Sequence, residues 1–161
     1  MWNVFQTFVF NFFKAEQREF AVRSEYIQWD AVALNLESAQ YLPVMHADVT
    51  LRSQTRTIVI DTKYYPQALS ETYEKKRIRS DHLYQLYAYL KNCKSQGGPP
   101  EGILLYPTTS QSLDVAFDLS GNKLRLKTLQ LNQPWQKIHE ELCDLLIPRE
   151  ADSSPPTTLA A

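Results

Sequence analysis

The spacing of apolar residues predicts an opening helix followed by strands. In the segment WNVFQTFVFNFF, apolar side chains recur every three or four positions, which predicts a strongly apolar helix to about residue 17. Residues 20–34 are expected to be extended. The apolar runs 47–51 and 57–62 are separated by a short polar turn, so we expect them to pair as an antiparallel hairpin.

The rest of the chain alternates polar segments with regular elements. Residues 66–79 are predicted to form a polar loop, and a helix with Ser80 as its N-cap is predicted to follow. A strand near residues 102–107, a second hairpin within residues 113–131 and a helix over residues 135–146 complete the pattern. The pattern predicts an α/β sandwich with a mixed sheet, because one connection is a hairpin and another passes through a helix.

The composition is that of an ordinary globular protein. Of the 161 residues, 43% are hydrophobic and 22% are charged, and the net charge of −1 gives no overall attraction to nucleic acid or acidic membranes. We expect one domain over residues 1–147 and a disordered tail over residues 148–161. The apolar start is too short to span a bilayer and lacks the basic leader of a signal peptide. The prediction is a cytoplasmic protein without membrane association.

The end of the strand in IVIDTKYY carries the candidate chemistry. Antiparallel pairing of the first hairpin brings Asp48, near the start of one strand, beside Asp61, near the end of the other. Lys63 lies two positions after Asp61 and therefore points to the same face of the sheet. Two carboxylates and a lysine at one sheet end can bind a hard divalent cation and activate a water molecule.

The tripeptide Asp61-Thr62-Lys63 is weak evidence by itself. An acidic residue, any residue and a lysine occur in this order about once by chance in a chain of ordinary composition, and Glu74-Lys75-Lys76 is a second example. The alternative is a surface ion pair at a strand end. The position after an apolar strand, beside Asp48 and ahead of a helix, favours a metal site.

The order helix, three strands, helix, strand resembles the PD-(D/E)XK nuclease superfamily. Within it, the segments LPVMHADVTL, IVIDTKYY and HLYQLYAY are similar to the nuclease domain of McrC-type subunits of 5-methylcytosine-specific restriction systems, and the resemblance covers roughly residues 1–147. It implies an endonuclease that cleaves DNA, methylated in the intact system, with Mg²⁺ or in its place Mn²⁺. It also implies a McrB-type GTP-hydrolysing motor subunit as the partner, if the N-terminal region that engages this subunit in longer family members is supplied.

The resemblance also implies a role for each site residue, carried over position by position. Asp48 and Asp61 would ligate the metal together with the carbonyl of Thr62, and Lys63 would be the catalytic lysine. Gln85 would contact a phosphate or the water network.

The helix after the hairpin adds further candidates. Helical spacing places Asp81, Gln85, Tyr89 and Asn92 on the face away from the apolar stripe, and Gln85 with Tyr89 matches a motif of the superfamily. The alternative is an ordinary solvated helix face. Tyr89 and a basic cluster before the helix are candidates for contacting DNA; the cluster consists of Lys75, Lys76, Arg77 and Arg79. For the basic residues, the alternative is a solvated loop.

The chain departs from the family pattern in the first helix and before the first aspartate. Gln6 stands where the superfamily often has a glutamate, and Ala47 stands where the superfamily name implies a proline. McrC-type subunits are longer, so a fragment, a split gene product or a domain that works with other chains is expected. The alternative functions are a catalytically weakened docking module of a defence complex and a related nuclease acting in DNA repair.

Overall fold

The computed structural model describes residues 2–35, 37–64, 69–72, 75–108 and 112–148 of the chain, without the side chains of residues 2, 69–72 and 75–77. A short 3₁₀ turn, Ser38–Tyr41, lies between the first two strands. The helices and strands are α1 (Trp2–Glu16), β1 (Ala21–Ile27), β2 (Met45–Arg52), β3 (Thr57–Thr62), β4 (Leu69–Thr72), β5 (Lys75–Ile78), α2 (Ser80–Asn92), β6 (Glu101–Thr108), β7 (Asp114–Leu119), β8 (Asn122–Gln130) and α3 (Trp135–Asp144).

Six of these strands form one mixed sheet in the order β1-β2-β3-β6-β8-β7. β2 pairs antiparallel with β1 and β3, and β7 pairs antiparallel with β8. β6 lies between β3 and β8 and is parallel to both. The predicted α/β architecture with a mixed sheet is confirmed.

The helices cover the sheet on both faces, so the molecule has three layers. On one face, Phe13 of α1 and Leu142 of α3 pack in one buried cluster with Leu105 of β6. On the other face, Leu86 of α2 packs with Leu104, the neighbour of Leu105 on the same strand. The wide apolar coverage of α1 is explained by its packing against both the sheet and α3. Within the described part of the chain, no helix is long and apolar enough to cross a membrane.

The structure corrects the prediction for residues 66–79, which were expected to form a loop. β4 and β5 lie there and pair antiparallel in a small sheet of their own. Their polar sequence has no apolar alternation, so the hydrophobic pattern gave no signal of strands. Ser80 is also not the N-cap of α2, because Arg79 occupies the cap position and makes no side-chain cap hydrogen bond. Residues 149–161 of the predicted tail lie outside the described residues.

A β-bulge interrupts β2 beside the candidate site. Between the pairs Arg23–Thr50 and Glu25–Ala47, β2 contains one more residue than β1. The extra residue changes the alternation of side chains, so that Ala47 packs in the cluster under α2 whereas Val49 packs in the cluster under α1. The bulge therefore resets which side chains of β2 face each helical layer.

Candidate active site

Four of the residues singled out from the sequence meet at one end of the sheet, between β2, β3 and α2. Asp48 lies in the bulged part of β2, Asp61 lies in β3, Lys63 follows β3 directly, and Gln85 projects from α2. They are connected by short polar contacts, although they come from three separate segments of the chain.

Asp48 is anchored on the backbone of the neighbouring strand. Its Oδ2 accepts hydrogen bonds from the backbone N–H of Thr62 at 2.8 Å and from the Thr62 hydroxyl at 2.7 Å. The side chain is buried, and among the described residues only Oδ2 takes part in hydrogen bonds. Oδ1 of Asp48 therefore has coordination capacity for a ligand at the sheet end.

Lys63 connects the sheet to α2 through its ammonium group. The Nζ atom lies 2.8 Å from Asp61 Oδ2 and donates a hydrogen bond to Gln85 Oε1 at 2.7 Å. The backbone N–H of Lys63 also bonds to the carbonyl of Leu105 at 2.9 Å, which fixes the residue against β6. Because backbone and side chain are both held, the ammonium has a defined position although it follows the last residue of the strand.

The carboxylate of Asp61 is buried without full compensation. Its Oδ2 forms the ion pair with Lys63 but has no well-aligned hydrogen bond to any described residue. Burial raises the pKa of Asp61 to about 6, the charge of Lys63 opposes this rise, and the nearby Asp48 adds to it. Since the protein leaves this anion under-compensated, a cation at the site would stabilise it.

Tyr89 holds Gln85 from the side opposite Lys63. Gln85 Nε2 donates to the Tyr89 hydroxyl at 2.6 Å, so both ends of the Gln85 amide are engaged. Tyr89 is only 4% exposed, and burial raises the pKa of its hydroxyl. The prediction that Tyr89 lies on a face away from the apolar stripe is therefore wrong, because its ring belongs to the core under α2. From this position Tyr89 orients Gln85.

The other polar residues of α2 do not join the site. Asp81 is exposed and forms an ion pair with Arg79 at 3.5 Å. Asn92 accepts a hydrogen bond from the backbone N–H of Asp30 at 2.7 Å and connects α2 to the segment after β1. Gln6 is half-buried on α1, and no hydrogen bond connects it to the described residues of the site.

The proposed DNA-contacting residues precede α2 directly. The backbone of Lys75, Lys76 and Arg77 forms most of β5, and the side chains of these three residues lie outside the described part of the structure. Arg79 follows at the N-terminal end of α2. Two residues therefore separate the end of the basic strand segment from the helix that carries Gln85.

Sequence analysis missed a buried polar pair next to Gln85. His82 Nδ1 and the Tyr106 hydroxyl share a hydrogen bond of 2.8 Å, and both side chains are buried. Burial lowers the pKa of His82 to about 4, so the imidazole is neutral near neutral pH. A histidine close to the apolar stripe of a predicted helix was the signal that could have indicated a buried partner.

The donor set agrees with a hard divalent cation of low protein coordination. Among the described residues, no group of three or more histidine, cysteine, aspartate and glutamate side chains could hold a metal ion. The candidate ligands are therefore two carboxylates, from Asp48 and Asp61, and the Thr62 carbonyl. Mg²⁺ prefers such oxygen ligands and usually keeps several of its water molecules, so this set fits it.

Fold and site together define an α/β protein with two carboxylates and a lysine at the end of its central strands. The family model described as "McrBC 5-methylcytosine restriction system component" matches residues 1–107. The chain is also 32% identical over 143 residues to the "Type IV methyl-directed restriction enzyme EcoKMcrBC" of Escherichia coli (strain K12). This alignment covers 88% of the chain and 41% of the relative, so the chain spans less than half of that protein's length. The chain belongs to the McrBC 5-methylcytosine restriction system component family, and the McrC-type resemblance is confirmed.

Proposed function

We propose that this chain is a metal-dependent DNA endonuclease domain of the PD-(D/E)XK type. The observation that carries the proposal is the buried Asp61 carboxylate, which lies beside Asp48 and 2.8 Å from the ammonium of Lys63. A buried carboxylate without a well-aligned hydrogen bond destabilises the folded state, and groups of this kind are concentrated at functional sites. Membership in a restriction-system family supports DNA as the substrate.

Asp48, Asp61 and the Thr62 carbonyl would hold Mg²⁺ or Mn²⁺. When bound, the ion would supply positive charge to a phosphate oxygen and lower the pKa of a coordinated water. Asp48 is suited to this role because Thr62 fixes its Oδ2, which leaves Oδ1 for the ion. For Asp61 the ion would supply positive charge in addition to that of Lys63, and this charge would stabilise the buried carboxylate.

Lys63 is assigned to the attacking water. Its Nζ is fixed by Asp61 and Gln85, so the ammonium can orient the water. To take the proton of the water as the oxygen bonds to phosphorus, Lys63 would first have to lose a proton to solvent and act as the neutral amine. The phosphorus–oxygen bond on the opposite side breaks, and the leaving sugar oxygen takes up a proton. Gln85 would keep the ammonium in place and contact the phosphate or the water network.

The methyl-directed activity in the name of the E. coli relative belongs to a longer protein. For the present chain, recognition of methylated cytosine is therefore proposed for the intact system rather than for this domain. We propose that a McrB-type GTP-hydrolysing subunit supplies recognition and motion, while this chain cuts. The net charge of −1 agrees with this division, because the domain itself has no strong overall attraction to DNA.

The first test is cleavage of supercoiled plasmid, methylated and unmethylated, with Mg²⁺ and with a McrB-type partner added. We expect Asp61→Asn and Lys63→Met to lower the cleavage rate by about 100-fold or more, since each removes a group that acts in the transition state. Asp30→Asn is the matched control, because Asp30 is exposed and far from β3 in the chain. Calorimetry with Mn²⁺ should show weaker binding to Asp61→Asn.

Three outcomes would decide against parts of this proposal. Retained cutting by Asp61→Asn would exclude the site. A wild-type protein that binds Mn²⁺ but never cuts, even with the partner, would favour the docking module, for which the glutamine at position 6 is the main sequence support. Cutting that is independent of methylation and partner would favour a nuclease of DNA repair.

A further inference from the structure

A buried hydrogen bond connects α2 to the central strand β6. The Nδ1 atom of His82 and the hydroxyl of Tyr106 are 2.8 Å apart, and their ring centroids are separated by 5.8 Å. Tyr106 is fully buried and His82 is 4% exposed. A hydrogen bond between two buried side chains restricts their relative geometry, so this bond helps to fix α2 against β6.

Both partners lie next to residues of the proposed site. His82 precedes Gln85 by three positions on α2, so the two residues are neighbours on one side of the helix. Tyr106 follows Leu105, whose carbonyl accepts the backbone hydrogen bond from Lys63. The His82–Tyr106 bond therefore joins the helix that carries Gln85 to the strand that fixes Lys63.

The bond lies in a turn of α2 that has no side-chain N-cap. The N-cap position, Arg79, makes no side-chain cap hydrogen bond, so the first turn of α2 lacks the usual capping contact. Asp81 and Tyr84, on the same part of the helix, are exposed. In this turn, Leu83 packs on the cluster under α2, and His82 makes a hydrogen bond to the sheet.

We propose that His82 and Tyr106 are positioning residues that set the first turn of α2 against β6 and thereby hold Gln85 on the ammonium of Lys63. The inference rests on the proposed nuclease function for its catalytic consequence, but its geometric content is independent of it. Both side chains are buried, so they would act through Gln85 and not on the substrate directly. A small displacement of Gln85 would release Lys63, and misplacement of a catalytic group by about 1 Å can lower a rate by up to about 100-fold.

The test uses variants that change a few atoms each. Tyr106→Phe removes only the hydroxyl, and His82→Phe removes both ring nitrogens. His82→Asn is the conservative variant, because the asparagine side chain places a polar atom close to the position of Nδ1. Tyr84→Phe is the matched control, since Tyr84 lies on α2 but is 69% exposed. Urea unfolding identifies any variant that is not folded. If His82→Phe does not fold, Tyr106→Phe still tests the proposal.

The first readout is the NMR signal of the Gln85 side-chain amide, assigned with Gln85→Glu. In the wild type this amide donates to the Tyr89 hydroxyl, which should set its chemical shift. Tyr106→Phe and His82→Phe should shift the signal, whereas His82→Asn should retain most of the wild-type behaviour. The second readout is plasmid cleavage, in which kcat should fall about 10-fold in the same two variants with KM for DNA unchanged.

The possible results separate the two proposals. If Tyr106→Phe leaves both the Gln85 signal and kcat at wild-type values, the positioning role is overturned. The positioning role is supported if His82→Asn keeps the kcat and KM of the wild type while His82→Phe has a lowered kcat. If the wild type cuts no DNA, the function proposal fails, and the Gln85 amide signal still decides whether the pair positions α2.

Discussion

At the residue scale, the site combines groups with opposite electrostatic demands in a small buried volume. Burial raises the pKa of Asp61 to about 6 and lowers the pKa of His82 to about 4. Both shifts have the same physical cause, since a poorly solvated environment disfavours the charged form of either group. The Lys63 ammonium counteracts the shift of Asp61 and adds to the shift of His82, so its charge affects both.

The shift of His82 makes the stability of the protein depend on pH. The unfolded chain, with an ordinary histidine pKa near 6.5, binds a proton more readily than the folded protein, so stability is lost as the pH falls from about 6.5 toward 4. Between pH 7 and pH 5, wild type should lose about 1–2 kcal/mol of unfolding free energy more than His82→Asn does. Urea unfolding at both pH values measures the difference.

Asp61 acts in the opposite direction over part of this range. Its raised pKa lets the folded protein bind a proton between about 6 and the ordinary value near 4, which favours the folded state as the pH falls. Because Asp61 is present in wild type and in His82→Asn, its effect cancels in the comparison. Equal pH dependence of the two proteins would show that His82 is not buried as a neutral imidazole.

At the element scale, the distance between α2 and the sheet depends on a missing side chain. A Cβ atom at Gly102 of β6 would lie 2.7 Å from Leu90 Cδ1 and 3.0 Å from Leu86 Cδ2. Both leucines are fully or almost fully buried in α2. Glycine at this position therefore lets the helix approach β6 closely enough for Gln85 to reach Lys63.

Gly102→Ala should therefore destabilise the protein by about 1–3 kcal/mol through overpacking. Leu90→Ala alone should cost about 2–5 kcal/mol because it leaves a cavity. In the double variant the new methyl group occupies part of that cavity, so the combined cost should be at least about 1 kcal/mol below the sum. Urea unfolding of the four proteins measures this coupling, and additive costs would show that α2 and β6 do not touch at this position.

Most elements were predictable because their residues alternate or recur with one period. The hairpin of β2 and β3, the helix α1 and the parallel strand β6 all have such signals. β4 and β5 were not predictable because their sequences, LSET and KKRI, show no alternation of apolar and polar residues. The position of Tyr89 was predicted wrongly because helical spacing does not show how a tyrosine side chain is oriented. Its ring is buried, while its hydroxyl accepts a hydrogen bond from Gln85.

The site itself was predictable as a set of residues but not as a geometry. The strand pairing brings Asp48 and Asp61 to one end, and the period of two places Lys63 beside Asp61. The sequence did not reveal that an extra residue in β2 re-aims this part of the strand, because a bulge has no hydrophobic signature. It also did not reveal the His82–Tyr106 bond, which joins positions far apart in the chain.

At the scale of the whole molecule, the proposed DNA binding would depend on the distribution of charge. A chain with a net charge of −1 depends on local basic residues for phosphate contacts, and the strongest local cluster precedes α2. Replacing Lys75, Lys76 and Arg77 by alanine should weaken binding similarly for all sequences and reduce the salt dependence of log K by about 2–3. Fluorescence anisotropy with a short duplex, without divalent ions and at several salt concentrations, measures both effects.

The matched control replaces lysines on the opposite helical layer. Lys14 belongs to α1 and Lys137 to α3, and both helices cover the face of the sheet away from α2. Alanine at these two positions should leave the salt dependence almost unchanged. An equal loss in both sets of variants would mean that DNA is attracted by charge in general and not by the strand before α2.

The bulge in β2 also limits how the protein can change during evolution. The residues before and after the bulge pack on opposite faces of the sheet, because Ala47 lies in the core under α2 and Val49 in the core under α1. Loss of one residue here would turn the first part of the strand over, so that Met45 would leave the cluster under α2 and Asp48 would move away from Thr62. Single substitutions along this strand change one side chain at a time, but a change of its length would disrupt both the core packing and the position of Asp48. We therefore expect relatives that keep the site to keep the length of this strand as well.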